Sequence, residues 1–214
     1  GGRVIVWADD STLFNGTLTA KGGSGGFAEI SGKKTLSYDG SLDLGVGGTV
    51  LFDPLDITIA TGGTDVIADF DTFAEGTGVA KTFSPTALAA LLTPGSVTIT
   101  LQAEEDILVS NDVVSAGGAA NGNLVLQAGG AITLGSSVKI DLNGNFTATA
   151  NDAGGTEATA STFSMGAGST IQTSTGNGNI TITMTAGGSG GDITLANLNA
   201  GAGHVYVNND SATD

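Results

Sequence analysis

Short runs in which every second residue is apolar recur along the chain, and most of them follow a Gly, Asn or Asp. The clearest runs lie at residues 96–103, 123–128 and 179–184, where Ala, Val, Leu, Ile or Met occupies alternate positions. A period of two is typical of a strand that buries one face. Gly-rich sequence follows several of the runs and indicates turns. The pattern therefore predicts many short strands joined by turns.

The runs return at a nearly constant spacing. Successive intervals from Val4 to Phe27 and from Phe27 to Val50 are 23 residues, and Leu124 and Phe146 are 22 residues apart. Three short strands and three turns need about that many residues, so each interval is predicted to be one coil of a parallel β-helix. The strand starts aligned in this way are Val4, Phe27, Val50, Val97, Leu124, Phe146, Ile180 and Val205. The predicted fold class is all-β, a parallel β-helix or β-solenoid with coils of about 23 residues.

Each coil is expected to hold a second strand and an apolar interior. The second strand is predicted at residues 106–109, 131–134 and 192–195. Alternate apolar residues would stack on their equivalents in the coils above and below, while the intervening Thr residues face solvent. The predicted inward residues are Val4, Val6, Ile30, Val50, Ile99, Leu101, Leu124, Leu126, Ile180 and Ile182.

One long interruption, residues 60–95, breaks the spacing. Its second part predicts a short helix, because Ser84 suits an N-cap, Pro85 suits the first helical position and Pro-Gly at 94–95 suits a stop. We expect this segment to be an excursion outside the coil that crosses one face of it. The whole chain, residues 1–214, is predicted to be a single β-helix domain with this one excursion.

Composition limits the partners. Of the 214 residues, 40% are hydrophobic and 36 are Gly, which favours an ordered, turn-rich β structure over disorder. The 21 acidic and 6 basic residues give a net charge of −15. Nucleic acids and anionic membranes are bound through an excess of Lys and Arg, so neither is expected as a partner. No window holds the ~18 consecutive apolar residues of a membrane helix, so no membrane insertion is expected.

Four stretches near the start of the chain carry a family resemblance. They are residues 1–9 (GGRVIVWAD), 15–20 (NGTLTA), 25–32 (GGFAEISG) and 51–59 (LFDPLDITI). They resemble filamentous-haemagglutinin-like exoproteins of bacterial two-partner secretion, at a position after the secretion domain of those proteins. The resemblance covers roughly residues 1–140, and beyond them only the general repeat persists.

The resemblance implies a right-handed parallel β-helix within a long secreted fibre, located outside the cell or attached to its surface. The expected function is that of a rigid stalk and an adhesion or display module. Its expected partners are the rest of the same fibrous exoprotein and a host, bacterial or matrix surface. An alternative follows from the open strand edges at the ends of any β-helix, which are templates for association. In that alternative the chain is a subunit that polymerises head-to-tail, with further copies end to end, into an extracellular filament.

Catalytic chemistry has little support in the sequence. His204 is the only histidine, Cys is absent, and neither a G-x-S-x-G elbow nor a phosphate-binding loop occurs. An exposed or corner position explains His204 better than a general base does. We therefore predict that the chain is not an enzyme and needs no organic cofactor.

Acidic residues provide the candidates for a metal site. Carboxylates in turns supply the hard oxygen ligands that Ca²⁺ prefers. The spacing of an EF-hand is absent, however, which favours a solvated acidic face as the interpretation of the same residues. The calcium candidates are Asp65, Asp69, Asp71, Glu75, Glu104, Glu105 and Asp106.

Four N-glycosylation sequons begin at Asn15, Asn145, Asn179 and Asn209. A chain so rich in Ser and Thr contains several such triplets by chance. The sequons alone therefore do not indicate that the chain is glycosylated.

Overall fold

The computed structural model of the chain describes residues 1–32, 35–38, 41–53, 56–61, 81–93, 97–115, 122–152, 161–185 and 191–210. Within these ranges the regular structure is almost entirely β, with one short helix. In chain order the elements are β1 (Arg3–Ala8), β2 (Ser11–Phe14), β3 (Thr17–Thr19), β4 (Phe27–Gly32), β5 (Thr35–Tyr38), β6 (Ser41–Asp43), β7 (Thr49–Asp53), β8 (Ile57–Ile59), β9 (Lys81–Phe83), α1 (Pro85–Leu92), β10 (Thr98–Ala103), β11 (Ile107–Val109), β12 (Val113–Val114), β13 (Asn123–Ala128), β14 (Ile132–Leu134), β15 (Lys139–Asp141), β16 (Phe146–Ala150), β17 (Phe163–Met165), β18 (Thr170–Gln172), β19 (Ile180–Met184), β20 (Ile193–Thr194), β21 (Asn197–Asn199) and β22 (Val205–Asn209).

The strands pair in parallel and form three main sheets. The first sheet has the order β1-β4-β7-β10-β13-β16-β19-β22, the second β20-β17-β14-β11-β8-β9 and the third β12-β15-β18-β21. Two further pairs, β2 with β5 and β3 with β6, belong to the start of the chain. We call one pass of the chain, with its successive strands, a rung. The chain is thus all-β, with parallel strands stacked rung upon rung, which is consistent with the predicted parallel β-helix.

Two ladders of inward side chains run through the first sheet. One joins Val4, Ala28, Val50, Ile99, Leu124, Phe146, Ile180 and Val205, and the other joins Val6, Ile30, Phe52, Leu101, Leu126, Ala148, Ile182 and Val207. In the six rungs between the two ends, these side chains are no more than 5% exposed. The predicted inward residues are therefore confirmed, with Val4 and Val6 only half-buried in the first strand.

The register differs from the predicted alignment in the second rung. Ala28, and not Phe27, is the partner of both Val4 and Val50. Phe27 points to the outer face, where the guanidinium carbon of Arg3 lies 5.0 Å from the centre of its ring. The alternation that makes Ile30 an inward residue places Ala28 inward as well, and Phe27 gains a cation–π contact outside. A one-residue shift of this kind exchanges the two faces of a strand.

The predicted spacing also needs correction. Ile99, and not Val97, holds the inward register position in β10. This shift of two residues leaves the same face buried, so it does not change which residues form the core. Rung length varies more than expected, since the equivalent corner residues Asn123 and Asn145 are 22 residues apart but Asn145 and Asn179 are 34 apart. Most of the extra residues of the longer rung lie between β16 and β17, and the rest lie between β18 and β19.

The predicted second strands are confirmed. They are β11, β14 and β20. In the second sheet β11 pairs with β14, and β17 lies between β14 and β20. Ile107, Ile132 and Phe163 form a buried ladder there, equivalent to the ladders of the first sheet. The interior is therefore lined from more than one side.

The predicted short helix is present as α1. Ser84 is its N-cap, and the Oγ atom of Ser84 accepts a hydrogen bond from the backbone N–H of Ala87 at 3.4 Å. Pro85 occupies the first helical turn, where its missing N–H costs nothing. The sequence signals at this end are thus sufficient to predict where the helix begins.

The position of α1 differs from the expected excursion outside the coil. Leu88 and Leu92 are fully buried and belong to the same apolar cluster as the strands. The helix packs against β12, the first strand of the third sheet, and so covers the core where that sheet begins. Just before the helix, β9 adds a parallel strand to β8. Residues 62–80 of the expected excursion, and the predicted Pro-Gly stop at 94–95, lie outside the described residues.

Candidate functional site

Asparagine side chains form a ladder at the corner that precedes the first sheet. The Oδ1 atom of Asn123 accepts from the backbone N–H of Asn145 at 2.8 Å, and Asn145 accepts from Asn179 at 2.8 Å. Asn179 in turn accepts from the backbone N–H of His204 at 2.9 Å. Each amide oxygen satisfies a backbone donor of the next rung at a turn. The ladder therefore helps to fix how successive rungs stack.

Aspartates do the same at other corners. Asp56 accepts from the backbone N–H of Asp106 at 3.1 Å, and Asp106 accepts from that of Ala131 at 2.6 Å. Asp112 accepts from the backbone N–H of Lys139 at 2.7 Å. Because an ionised acceptor makes a stronger hydrogen bond than a neutral one, these carboxylates have a structural role.

The calcium candidates divide into two groups. Asp65, Asp69, Asp71 and Glu75 lie outside the described residues. Asp106 belongs to the corner just described, and the backbone oxygen of Glu105 accepts from the N–H of Gly130 at 2.7 Å. Among the described residues, no group of three His, Cys, Asp or Glu side chains is placed to hold a metal ion. Calcium binding therefore stays a prediction that the described part of the chain does not support.

Glu104, the remaining candidate, lines a small polar cleft at the end of β7. The cleft has a volume of about 80 Å³, and its lining includes Asp53, Gln102, Glu104, Gln127 and Asp152. Burial raises the pKa of Asp53 to about 6, with further contributions from the charges of Glu104 and Glu29. A carboxyl group of this kind exchanges protons in mildly acidic solution. The cleft is too small for an organic substrate, however, because such pockets usually exceed about 300 Å³.

A larger apolar cleft lies between α1 and the strands β6, β7 and β10. It has a volume of about 280 Å³, and its lining includes Leu42, Leu44, Val46, Val50, Leu91 and Val97. Among the described residues that line it, Asp43 is the only charged one, and its carboxylate forms an ion pair with Lys21. No pattern in the sequence indicates this cleft, because it depends on where α1 packs. Its mostly apolar lining suits an apolar group.

His204 occupies the corner position that the sequence predicted for it. Its backbone N–H ends the asparagine ladder, and its imidazole lies 5.8 Å from the ring of Tyr206, measured between ring centres. The residue is exposed. These contacts give His204 a place in the stacking of β22 on β19.

The first and last strands of the first sheet expose apolar side chains. In β22, Val205, Tyr206 and Val207 are between 43% and 54% exposed, and in β1 Ile5 and Trp7 are 49% and 50% exposed. Within the described part of the chain, β1 and β22 each pair with one strand only. Both strands therefore present an edge and apolar surface for further contacts.

Comparison of the chain with protein-family models, curated proteins and solved structures gives no match. The resemblance to filamentous-haemagglutinin-like exoproteins therefore stays a prediction. In the described ranges, no helix is long and apolar enough to span a membrane.

Sequence reasoning missed the corner ladders, although a signal for them was present. Asn123, Asn145 and Asn179 each stand directly before an inward residue, Leu124, Phe146 and Ile180 respectively. An Asn at the same place in three rungs indicates a repeated side-chain task, and hydrogen bonding to a turn is the usual one.

Proposed function

We propose that the chain is a rigid stalk segment of a secreted, cell-surface fibrous exoprotein and folds as a closed, right-handed parallel β-helix. Within that exoprotein its role is to hold and display adhesive surfaces at a distance from the cell. The observation that carries the proposal is the unbroken register of eight parallel strands in the first sheet. Parallel crossovers within one sheet are almost always right-handed, which supports the proposed hand.

The packing of the rungs supports the role of a rigid stalk. Neighbouring strands lie ~4.8 Å apart, so the eight strands of the first sheet extend over about 35 Å. Every step along this length is held by strand pairing and by the inward ladders, and the corner ladders add side-chain hydrogen bonds in the later rungs. Because each rung contacts only its neighbours, further rungs lengthen such a structure without changing its cross-section.

The acidic charge supports a function that does not involve binding to nucleic acids or membranes. A net charge of −15 keeps such a stack soluble and repels other copies side by side. The apolar cleft beside α1 and the outer faces of the sheets are the surfaces available for display.

The head-to-tail filament remains the alternative, because β1 and β22 expose apolar edges. In the described part of the chain these strands lie at opposite ends of the first sheet, so head-to-tail growth would pair β22 of one copy with β1 of the next.

Sedimentation velocity over a range of concentrations separates the two proposals. The stalk proposal predicts that the chain stays monomeric, and that Val207→Lys in β22 sediments like the parent. Val114→Lys is the matched control, because Val114 in β12 is 46% exposed but lies away from both end strands. Concentration-dependent growth that Val207→Lys abolishes and Val114→Lys preserves would establish the filament instead.

Adhesion needs a separate measurement. Beads coated with the folded chain should be retained on matrix, host-cell or bacterial surfaces more than beads coated with the unfolded chain. If neither is retained on any of these surfaces, the segment is a spacer without an adhesive surface of its own.

A further inference from the structure

The four sequons are not equivalent in the structure. Asn145 and Asn179 stand directly before β16 and β19, and their middle residues, Phe146 and Ile180, are fully buried register partners. The side-chain oxygens of both asparagines accept hydrogen bonds within the corner ladder. An enzyme that modifies either amide would have to pull a central strand out of the core.

Asn209 is also held in place. It lies in β22, where it is the register partner of Met184. Its Nδ2 atom, the atom that carries an N-linked sugar, donates a hydrogen bond to the backbone oxygen of Gly191 at 3.1 Å. A sugar on Nδ2 leaves one N–H for this contact, but it would have to fit where the last two rungs meet.

Asn15 differs from the other three. It lies in the turn between β2 and β3, and Asn15, Gly16 and Thr17 are all exposed. No heavy atom lies within 4 Å of the place where a Cβ atom would stand on Gly16. The middle of this sequon is therefore open to an approaching enzyme, and modification of its Asn disturbs neither an inward ladder nor the corner ladder.

We propose that Asn15 is an N-glycosylation site. The co-substrate is a sugar activated at its anomeric carbon by a phosphate leaving group. The Nδ2 atom of Asn15 forms a bond to that carbon, the carbon–oxygen bond to phosphate breaks, and the amide releases one proton. The sugar would project sideways from the first rung and leave the outer edge of β1 free. The proposal stands independently of the stalk function.

Glycosylation of the purified, folded chain in vitro tests the proposal. One arm uses UDP-glucose with a soluble N-glycosyltransferase, and the other uses a lipid-pyrophosphate oligosaccharide with an oligosaccharyltransferase. Peptide mass spectrometry locates the sugar. We expect one addition per folded chain, at Asn15, in at least one arm, and the arm that succeeds identifies the donor class. Asn145 and Asn179 should be modified only after the chain is unfolded.

Two variants make the result specific. Thr17→Val removes the hydroxyl that the sequon requires and should abolish the addition, whereas Thr17→Ser should retain it. The proposal is overturned if Asn15 stays unmodified in both arms. It is equally overturned if Asn145 and Asn179 in the folded chain are modified as readily as Asn15.

Discussion

At the scale of single side chains, the inward residues of the first sheet do most to specify the fold of this chain. Leu126 illustrates it, because it is fully buried and lies between Leu101 of one rung and Ala148 of the next. Its neighbour Val125 points the other way and is only half-buried. The same strand therefore offers a core position and a surface position side by side.

Replacing Leu126 by Asp should destabilise the chain by about 4 kcal/mol or more, because it buries an unpaired charge between two rungs. Val125→Asp is the matched control and should cost much less, since a charge there stays in contact with water. Thermal unfolding measures both. If the two variants unfold at the same temperature, the register of the first sheet is wrong.

The corner ladder makes a smaller contribution that can be measured separately. Asn145→Ala removes the acceptor of the Asn179 N–H, and the loss of one such hydrogen bond costs about 1 kcal/mol. Asn15→Ala, at an exposed turn outside the ladder, should leave the free energy of unfolding unchanged within error. Equal effects of the two substitutions on the free energy of unfolding would contradict a structural role of the ladder.

Asp53 makes stability depend on pH. Its pKa rises from 3.8 to about 6 on folding, so between those values the folded chain binds more protons at this site than the unfolded chain. Stability from this group is therefore present at low pH and is lost as the pH rises towards 6. In Asp53→Asn this loss of stability with rising pH should disappear, and the variant should be more stable than the parent at neutral pH. Denaturant unfolding across this range checks it, and parallel stability curves for the two proteins would contradict it.

At the scale of elements, α1 acts as a cover for the core. Leu88 and Leu92 enter the apolar cluster, while Thr86 on the opposite side is exposed. The helix therefore takes a place that a strand would occupy in an uninterrupted third sheet. Residues on its inner face should matter to stability as much as those of the strands.

Leu88→Ala should cost about 2–5 kcal/mol, the usual range for a cavity made by truncating a buried leucine. Thr86→Ala should have little effect. Equilibrium unfolding of both variants tests this, with circular dichroism to confirm that the strands persist. A Leu88→Ala variant as stable as the parent would indicate instead that α1 is an excursion outside the core.

The strands and the helix could be predicted because their signals are local. Alternation at 123–128 and 179–184 defines which residues face inward, and the Ser84-Pro85 pair defines where α1 begins. The outward position of Phe27 also follows from the sequence, because the predicted inward Ile30 places Ala28, and not Phe27, on the same face of β4. The contact between Phe27 and Arg3 could not be predicted, since it joins residues of different rungs. Both clefts likewise depend on contacts between distant parts of the chain, which a spacing pattern does not contain.

At the scale of the whole molecule, the account depends on one statement: residues far apart in sequence are stacked neighbours in successive rungs. Thr147 of β16 and Thr181 of β19 are such partners on the outer face of the first sheet. Thr147 and Thr170 are closer in sequence but belong to different sheets. The two pairs therefore separate proximity in sequence from proximity in the stack.

Paired spin labels test this most directly, because the chain has no Cys and labels attach only at introduced positions. The double variant Thr147→Cys/Thr181→Cys should show strong dipolar broadening, since adjacent strands lie ~4.8 Å apart. The control Thr147→Cys/Thr170→Cys should show much weaker broadening at the same protein concentration. Equal spectra for the two pairs, or stronger broadening in the control, would contradict the stacking of rungs on which the proposed stalk rests.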